Sequence, residues 1–185
     1  MSSATGRPRA SSRGVLAEAA CELFLEQGYE ATTVAEITSR AGVSRSSFFS
    51  HFSSTGALLW SGCDAQIDVL GESLSTDFGM DAPAAVARAI DALGHALAPD
   101  SLTLALANAT AMGLDEELER EAARRLARVA GLVSARLRSG GVDRLAAEVA
   151  GAAYGGAVIA ALRAWAPDGP GRTALPASLA RPTRG

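Results

Sequence analysis

Between Thr33 and Thr55 the chain gathers side chains suited to hydrogen bonding: Thr33, Ser44, Arg45, Ser46, Ser47 and Ser50, with His51 closing the run. Hydroxyls and one guanidinium on a short stretch have the size and polarity to meet base edges and phosphates in a DNA major groove. They are a poor set for breaking bonds. Catalysis needs converging titratable groups, and the two histidines, His51 and His95, lie far apart in sequence with no carboxylate or nucleophile at motif spacing. No Gly-rich phosphate loop, zinc spacing or Ser-centred elbow is present, so no enzymatic activity, metal or cofactor is expected.

The flanking residues build the element that must hold this set. Thr33 followed three residues later by Glu36 is a capping box, which starts a helix at Val34. Gly42 supplies the left-handed residue that ends this helix after Ala41, and Ser44 caps the next. Ile37, Ala41, Val43 and Phe48 fall where two short helices crossing steeply need apolar contacts, which is a helix-turn-helix. The second helix then turns Arg45, Ser46, Ser47 and Ser50 outward. The same caps would also make a helical hairpin with a solvated serine surface, in an interaction or scaffold module without specific DNA binding.

The composition suits an all-α protein. Of 185 residues 48% are hydrophobic and only 5% aromatic, and no long Val/Ile/Thr alternation marks a strand. Net charge is −3 and every basic side chain is Arg. Arg7, Arg9 and Arg13 lie on a Ser/Gly/Pro-containing arm able to reach phosphate or minor groove, apart from the surface holding Glu18, Glu22, Glu26, Glu30 and Glu36. Cys21 and Cys63 sit in helical patterns without metal-ligand spacing and read as core filling in a reducing cytoplasm. With no apolar leader and no long unbroken apolar segment, neither export nor membrane insertion is expected.

The run from Ala19 to Val34, then Ile37, Ala41-Gly42-Val43-Ser44, Phe48-Phe49-Ser50-His51-Phe52 and Leu58-Leu59, closely resembles the DNA-binding domain of TetR-type bacterial repressors, the tetracycline repressor family. The resemblance covers residues 13 to 60. It implies DNA contacts from Thr33, Ser44, Arg45, Ser46, Ser47, Phe49, Ser50, His51 and Thr55. Three positions depart from the family pattern: Phe49 replaces a Tyr and Thr55 a Lys, both phosphate contacts in the family, and Thr38 replaces a helix-packing Ala. Phe48-Phe49 with Leu59-Trp60 also resembles the mycofactocin-associated branch. The family further implies a homodimer on a palindromic double-stranded operator, released by a small-molecule inducer.

The expected organisation is a basic arm over residues 1–12, a three-helix helix-turn-helix domain over 13–53, a helical-bundle ligand-binding and dimerisation domain over 54–166, and a Pro/Gly-rich tail over 167–185 with at most a short helix at 173–180. Leu16, Ala19, Ala20, Leu23 and Phe24 stripe a first helix over 12–27. Ser53 or Ser54 caps a fourth that carries Leu58, Leu59, Ile67 and Leu70 and links the domains, and 71–80 reads as a loop. Helices follow over 83–97, over 102–112 as an apolar, buried element, over 115–138, and over 143–166. In the third of these, Glu116 to Arg120 and Glu121 to Arg125 are i, i+4 pairs that read as a solvated face.

Polar side chains inside the apolar helical runs nominate an inducer pocket: Gln66, His95, Asn108, Thr110 and Tyr154, with Trp60 and Met112 as apolar lining, suited to an aliphatic or mixed small molecule. Interior glycines in the last helix each cost about 1 kcal/mol against Ala, so a helix must approach them closely. Gly151, Gly155, Gly156 and Ile159 are therefore expected at the two-fold interface that the family resemblance implies.

Overall fold

The structure is a computed structural model that describes residues 12–76 and 79–166. The basic arm before Ser12 and the tail over 167–185, with its expected short helix, lie outside the described residues. All regular structure among the described residues is helical: α1 (Ser12–Gln27), α2 (Val34–Ala41), α3 (Arg45–His51), a 3-10 turn (Gly56–Leu58), α4 (Ser61–Thr76), α5 (Ala82–Ala96), α6 (Ser101–Ala107), α7 (Ala109–Met112), α8 (Asp115–Ser139) and α9 (Arg144–Trp165). Helices α1 to α3 form the first unit, and α8 packs along much of α9 in the second. Cys21 and Cys63 are both buried; burial pushes their thiols up to about 11 and about 12, so both are protonated core side chains.

Three boundaries differ from the sequence reading, each for a local reason, while the start of α5 at Asp81 and Pro83 agrees with it. Ser54 accepts the Ala57 N–H at 3.1 Å and so caps the 3-10 turn, and α4 starts later, at Ser61. Helix α4 then runs through Gly71 to Thr76, because Gly71 lies against Leu132 of α8 and Leu74 is buried; glycine here serves close packing, not a loop. Asp81 accepts the Ala84 N–H and starts α5 with Pro83 in its first turn. The segment 102–112 is two helices: the Asn108 side chain donates to Leu104 O at 2.9 Å where α6 ends. It is only half-buried as well, with Leu104 46% exposed.

The glycines of α9 correct a second expectation. Cβ atoms built on Gly151 and Gly155 would strike Ala130 O and Leu126 O of α8 in the same chain, the latter at 2.5 Å. These two glycines therefore close an intrachain seam, and Ile159, 5% exposed, is core as well. Gly156 is half-buried with nothing within 4 Å of a built Cβ. It belongs to the other face of α9, with Leu145 (72% exposed), Val149 (62%), Ala152 and Ala160. Length and composition alone would let α9 cross a membrane, with mean hydropathy 1.6 over its most apolar window. Its glycine face is closed by α8 of the same chain.

The seam makes a sharp prediction. Gly155→Ala gains about 1 kcal/mol of helix propensity but forces a backbone contact, for which overpacking costs of about 1–3 kcal/mol are usual. Urea unfolding should therefore show Gly155→Ala destabilised and Gly156→Ala, where space is open, stabilised. Equal stabilisation of both variants would contradict the seam.

Candidate nucleic-acid interface and its link to the second domain

The helix-turn-helix is held by local hydrogen bonds that its sequence dictates. Thr33 Oγ1 accepts the Glu36 N–H at 3.3 Å, and Glu36 accepts from the Thr33 N–H at 2.8 Å and hydroxyl at 2.7 Å. These bonds hold the Glu36 carboxyl below its ordinary value. Gly42, at φ 67°, ends α2, and Val43 N–H returns to Thr38 O at 3.0 Å. Ser44 accepts the Ser47 N–H at 3.2 Å and starts α3. Buried Phe48 pins α3 from behind, with its ring 5.1 Å from Phe49 and 5.8 Å from Phe52. Thr38, buried where alanine is usual in the family, donates its hydroxyl to Val34 O at 2.9 Å, so the extra polar atom is satisfied within its own helix.

The outward face of α3 then carries Arg45, Ser46, Ser50, His51 and Phe49, the last 65% exposed, with Ser47 half-buried. Arg45 has no ion-pair partner among the described residues. Arg40 of α2 is committed: it forms a two-pronged bond to Glu26 at 2.7 Å on each arm and lies 3.5 Å from Glu22, fastening α2 to α1. Thr33 and Ser44 spend their hydroxyls on capping, although both remain exposed. Thr55 is half-buried and donates to the Tyr29 hydroxyl at 3.2 Å, which turns it toward the joint between the units.

That joint is the part the sequence reading missed. Tyr29 N–H donates to Met112 O at 2.8 Å, and the Glu117 side chain packs on Gly56, leaving no room there for a Cβ. Arg125 of α8 is buried, donates to both carboxylate oxygens of Asp64 on α4 at 3.0 and 2.6 Å, pairs with buried Glu121, and lies 5.0 Å over the Trp60 ring. Burial opposes the charge on Arg125, but Asp64 and Glu121 outweigh it and hold the guanidinium above its ordinary pKa. The pair read as a solvated face is thus interior, and Arg120 bonds Glu117 in place of Glu116. Asp64 on a largely apolar stretch, four residues after Trp60, was the available signal.

The seven residues nominated for an inducer pocket do not converge. Trp60 and Met112 are fully buried, and Trp60 Nε1 has no hydrogen-bond partner among the described residues. Gln66 and Tyr154 are half-buried, and burial pushes the Tyr154 phenol up. His95 is exposed with Nδ1 2.8 Å from Asp91 O, Thr110 is exposed and donates to Asp115, and Asn108 ends α6. None of the seven lines any of three surface cavities: one at the joint, one between α1 and Gly62 of α4, and one between α1 and α2.

With this geometry in place, comparison with known proteins is informative. Residues 16–60 match the family model described as bacterial regulatory proteins, tetR family. Over 45 residues the chain is 47% identical to the uncharacterized HTH-type transcriptional regulator YerO of Bacillus subtilis, covering 24% of this chain and 16% of that protein. Over 47 residues it is 49% identical to the HTH-type transcriptional activator FasR of Mycolicibacterium smegmatis, covering 25% of this chain and 22% of that protein. The match therefore spans less than a quarter of either relative. At the level of fold, a putative TetR-family regulator from Mesorhizobium loti superposes with a TM-score of 0.52 at 22% identity, over 95% of this chain and 92% of that one.

The cap on α3 gives a direct test of how the interface is built. Ser44→Ala should cost about 1 kcal/mol of stability, whereas Ser46→Ala, a surface change, should stay within about 0.5 kcal/mol. Chemical unfolding of the two variants checks this, and equal effects would contradict the cap.

Proposed function

From the premise that residues 16–60 are the module of the tetR family of bacterial regulatory proteins, we propose that this chain is a transcriptional repressor that acts in the cytoplasm. It binds a palindromic double-stranded operator as a homodimer and is released by a small molecule. The observation that carries the DNA reading is Arg45, exposed and without an ion-pair partner among the described residues, beside exposed Ser46, Ser50 and His51 on a helix capped by Ser44. Repression follows most simply from occupancy of the operator. The name activator carried by FasR favours the opposite sign for a protein that shares this module. A reporter placed behind the selected operator, with and without the protein, decides between the two.

Two recognition helices related by a two-fold axis require a symmetric site. The face of α9 that carries Leu145, Val149, Ala152, Gly156 and Ala160 supports that dimer: it is exposed, apolar and flattened by small residues. The buried Nε1–H of Trp60, unpaired among the described residues, supports a ligand acceptor beside α4, since an unmet buried donor costs about 1–3 kcal/mol. Gln66, Asn108, Met112 and Tyr154 are the remaining nominated residues that are buried or half-buried in the second unit. To release DNA the ligand must bind the DNA-incompetent conformation more tightly, because equal affinity for two states shifts nothing.

Two predictions separate these elements. Arg45→Ala should weaken operator binding by about 1–3 kcal/mol with unfolding stability unchanged; undiminished affinity in a gel shift would remove Arg45 from the interface. Val149→Glu should yield a helical monomer by sedimentation, with operator binding lost. A fully dimeric Val149→Glu protein would place the two-fold elsewhere.

A further inference from the structure

A cavity of about 350 Å³ opens at the joint, between the end of α3, the start of α4, Arg13 of α1 and the charged face of α8. Its ionisable lining sets Arg13, Arg124, Arg125 and Arg128 against Asp64 and Glu121, with His51 at the edge. In a chain of net charge −3, four guanidiniums facing two carboxylates reverse the sign locally. The floor is built and rigid: the Arg125 and Glu121 side chains are 8% and 2% exposed and bond one another, and Arg125 also bonds Asp64. The other three arginines keep donors free. Arg13 has no partner among the described residues, while Arg124 and Arg128, 60% and 43% exposed, pair with Glu121 and Asp68. Each guanidinium has five N–H donors in a planar fork that matches carboxylate and phosphate oxygens.

We propose that this joint cavity binds a compact polyanion carrying phosphate or several carboxylates. Arg13 would reach it from α1 and Arg124 and Arg128 from α8, over the fixed Asp64–Arg125–Glu121 floor. A volume of this size accommodates such an anion, since each water it would displace takes roughly 30 Å³. An apolar ligand would have to strip water from the charged walls without replacing their hydrogen bonds. A DNA backbone is the less favoured occupant, because the floor is built by α8 and α4 and, of the residues on the outward face of α3, His51 alone reaches the cavity. An anion clasped there ties α1 to α8 across the unit that carries the recognition helix. Only this last consequence rests on the regulator reading.

The test uses the full chain with Trp165→Phe, so that Trp60, beneath Arg125, is the sole tryptophan. Pyrophosphate and, separately, citrate are titrated at fixed ionic strength while Trp60 emission and calorimetric heat are followed. The expected result is saturable binding of at least one in the millimolar range or tighter, and the responding anion identifies phosphate or carboxylate chemistry. Arg124→Gln with Arg128→Gln should weaken binding at least about ten-fold, the loss of charge-assisted hydrogen bonds. Arg13→Gln, which breaks no ion pair, should also weaken binding, and decides the matter if the double variant fails to fold. No saturable binding of either anion, or binding that the variants leave unchanged, overturns the proposal. So does a double variant that loses DNA affinity when the parent protein binds neither anion, which would assign the cavity to the DNA backbone. Anion binding by a protein that binds no DNA leaves the site standing and removes the regulator reading instead.

Discussion

A buried guanidinium cannot be left without partners, and that constraint at Arg125 fixes how α4, the helix that follows the first unit, lies on α8. Its fork is taken by Asp64 of α4, its remaining donors by Glu121 of its own helix, and its flat face by Trp60. Removing one partner of such a buried pair typically costs about 3–5 kcal/mol, because the other charge is stranded. Helix α4 is therefore pinned to α8 at a defined register. It follows the recognition helix through one 3-10 turn, and Gly56 in that turn sits under Glu117 of α8. Glu117 and Arg125 thereby join α8 to the turn and the helix that follow α3, and the Tyr29–Met112 and Tyr29–Thr55 bonds brace the same joint from the end of α1.

The first unit was legible in the sequence because its signals are local. Thr33 with Glu36, then Gly42 and Ser44, each satisfy backbone groups within a few residues, and α1, α2 and α3 follow from them. Non-local choices were not legible. The small residues of α9 announce that a helix comes close, but only the structure reveals that Gly151 and Gly155 meet Ala130 and Leu126 of the same chain. Gly71 was read as a loop for the same reason: a glycine that admits Leu132 and a glycine that ends a helix look alike in one dimension. The Glu121–Arg125 pair shows a third limit, since i, i+4 spacing is the same on a solvated face and in a core.

Charge is deployed in two distinct ways across the chain. In the first unit, Arg40 is consumed by Glu26 and Glu22 to build the fold, leaving Arg45 as the exposed cation of α3. In the second unit, Arg125 and Arg128 of α8 pair with Asp64 and Asp68 of α4 and hold those two helices together.

The most direct measurement of this account is a double-mutant cycle on Asp64 and Arg125, with Asp64→Asn, Arg125→Met and the pair compared by urea unfolding. If the pair fixes α4 on α8, each single variant is strongly destabilised and the double variant recovers part of the loss, giving a coupling of about 1–3 kcal/mol. A coupling within about 0.5 kcal/mol of zero would mean that α4 is held on α8 without help from this pair, and would contradict the role assigned to Arg125.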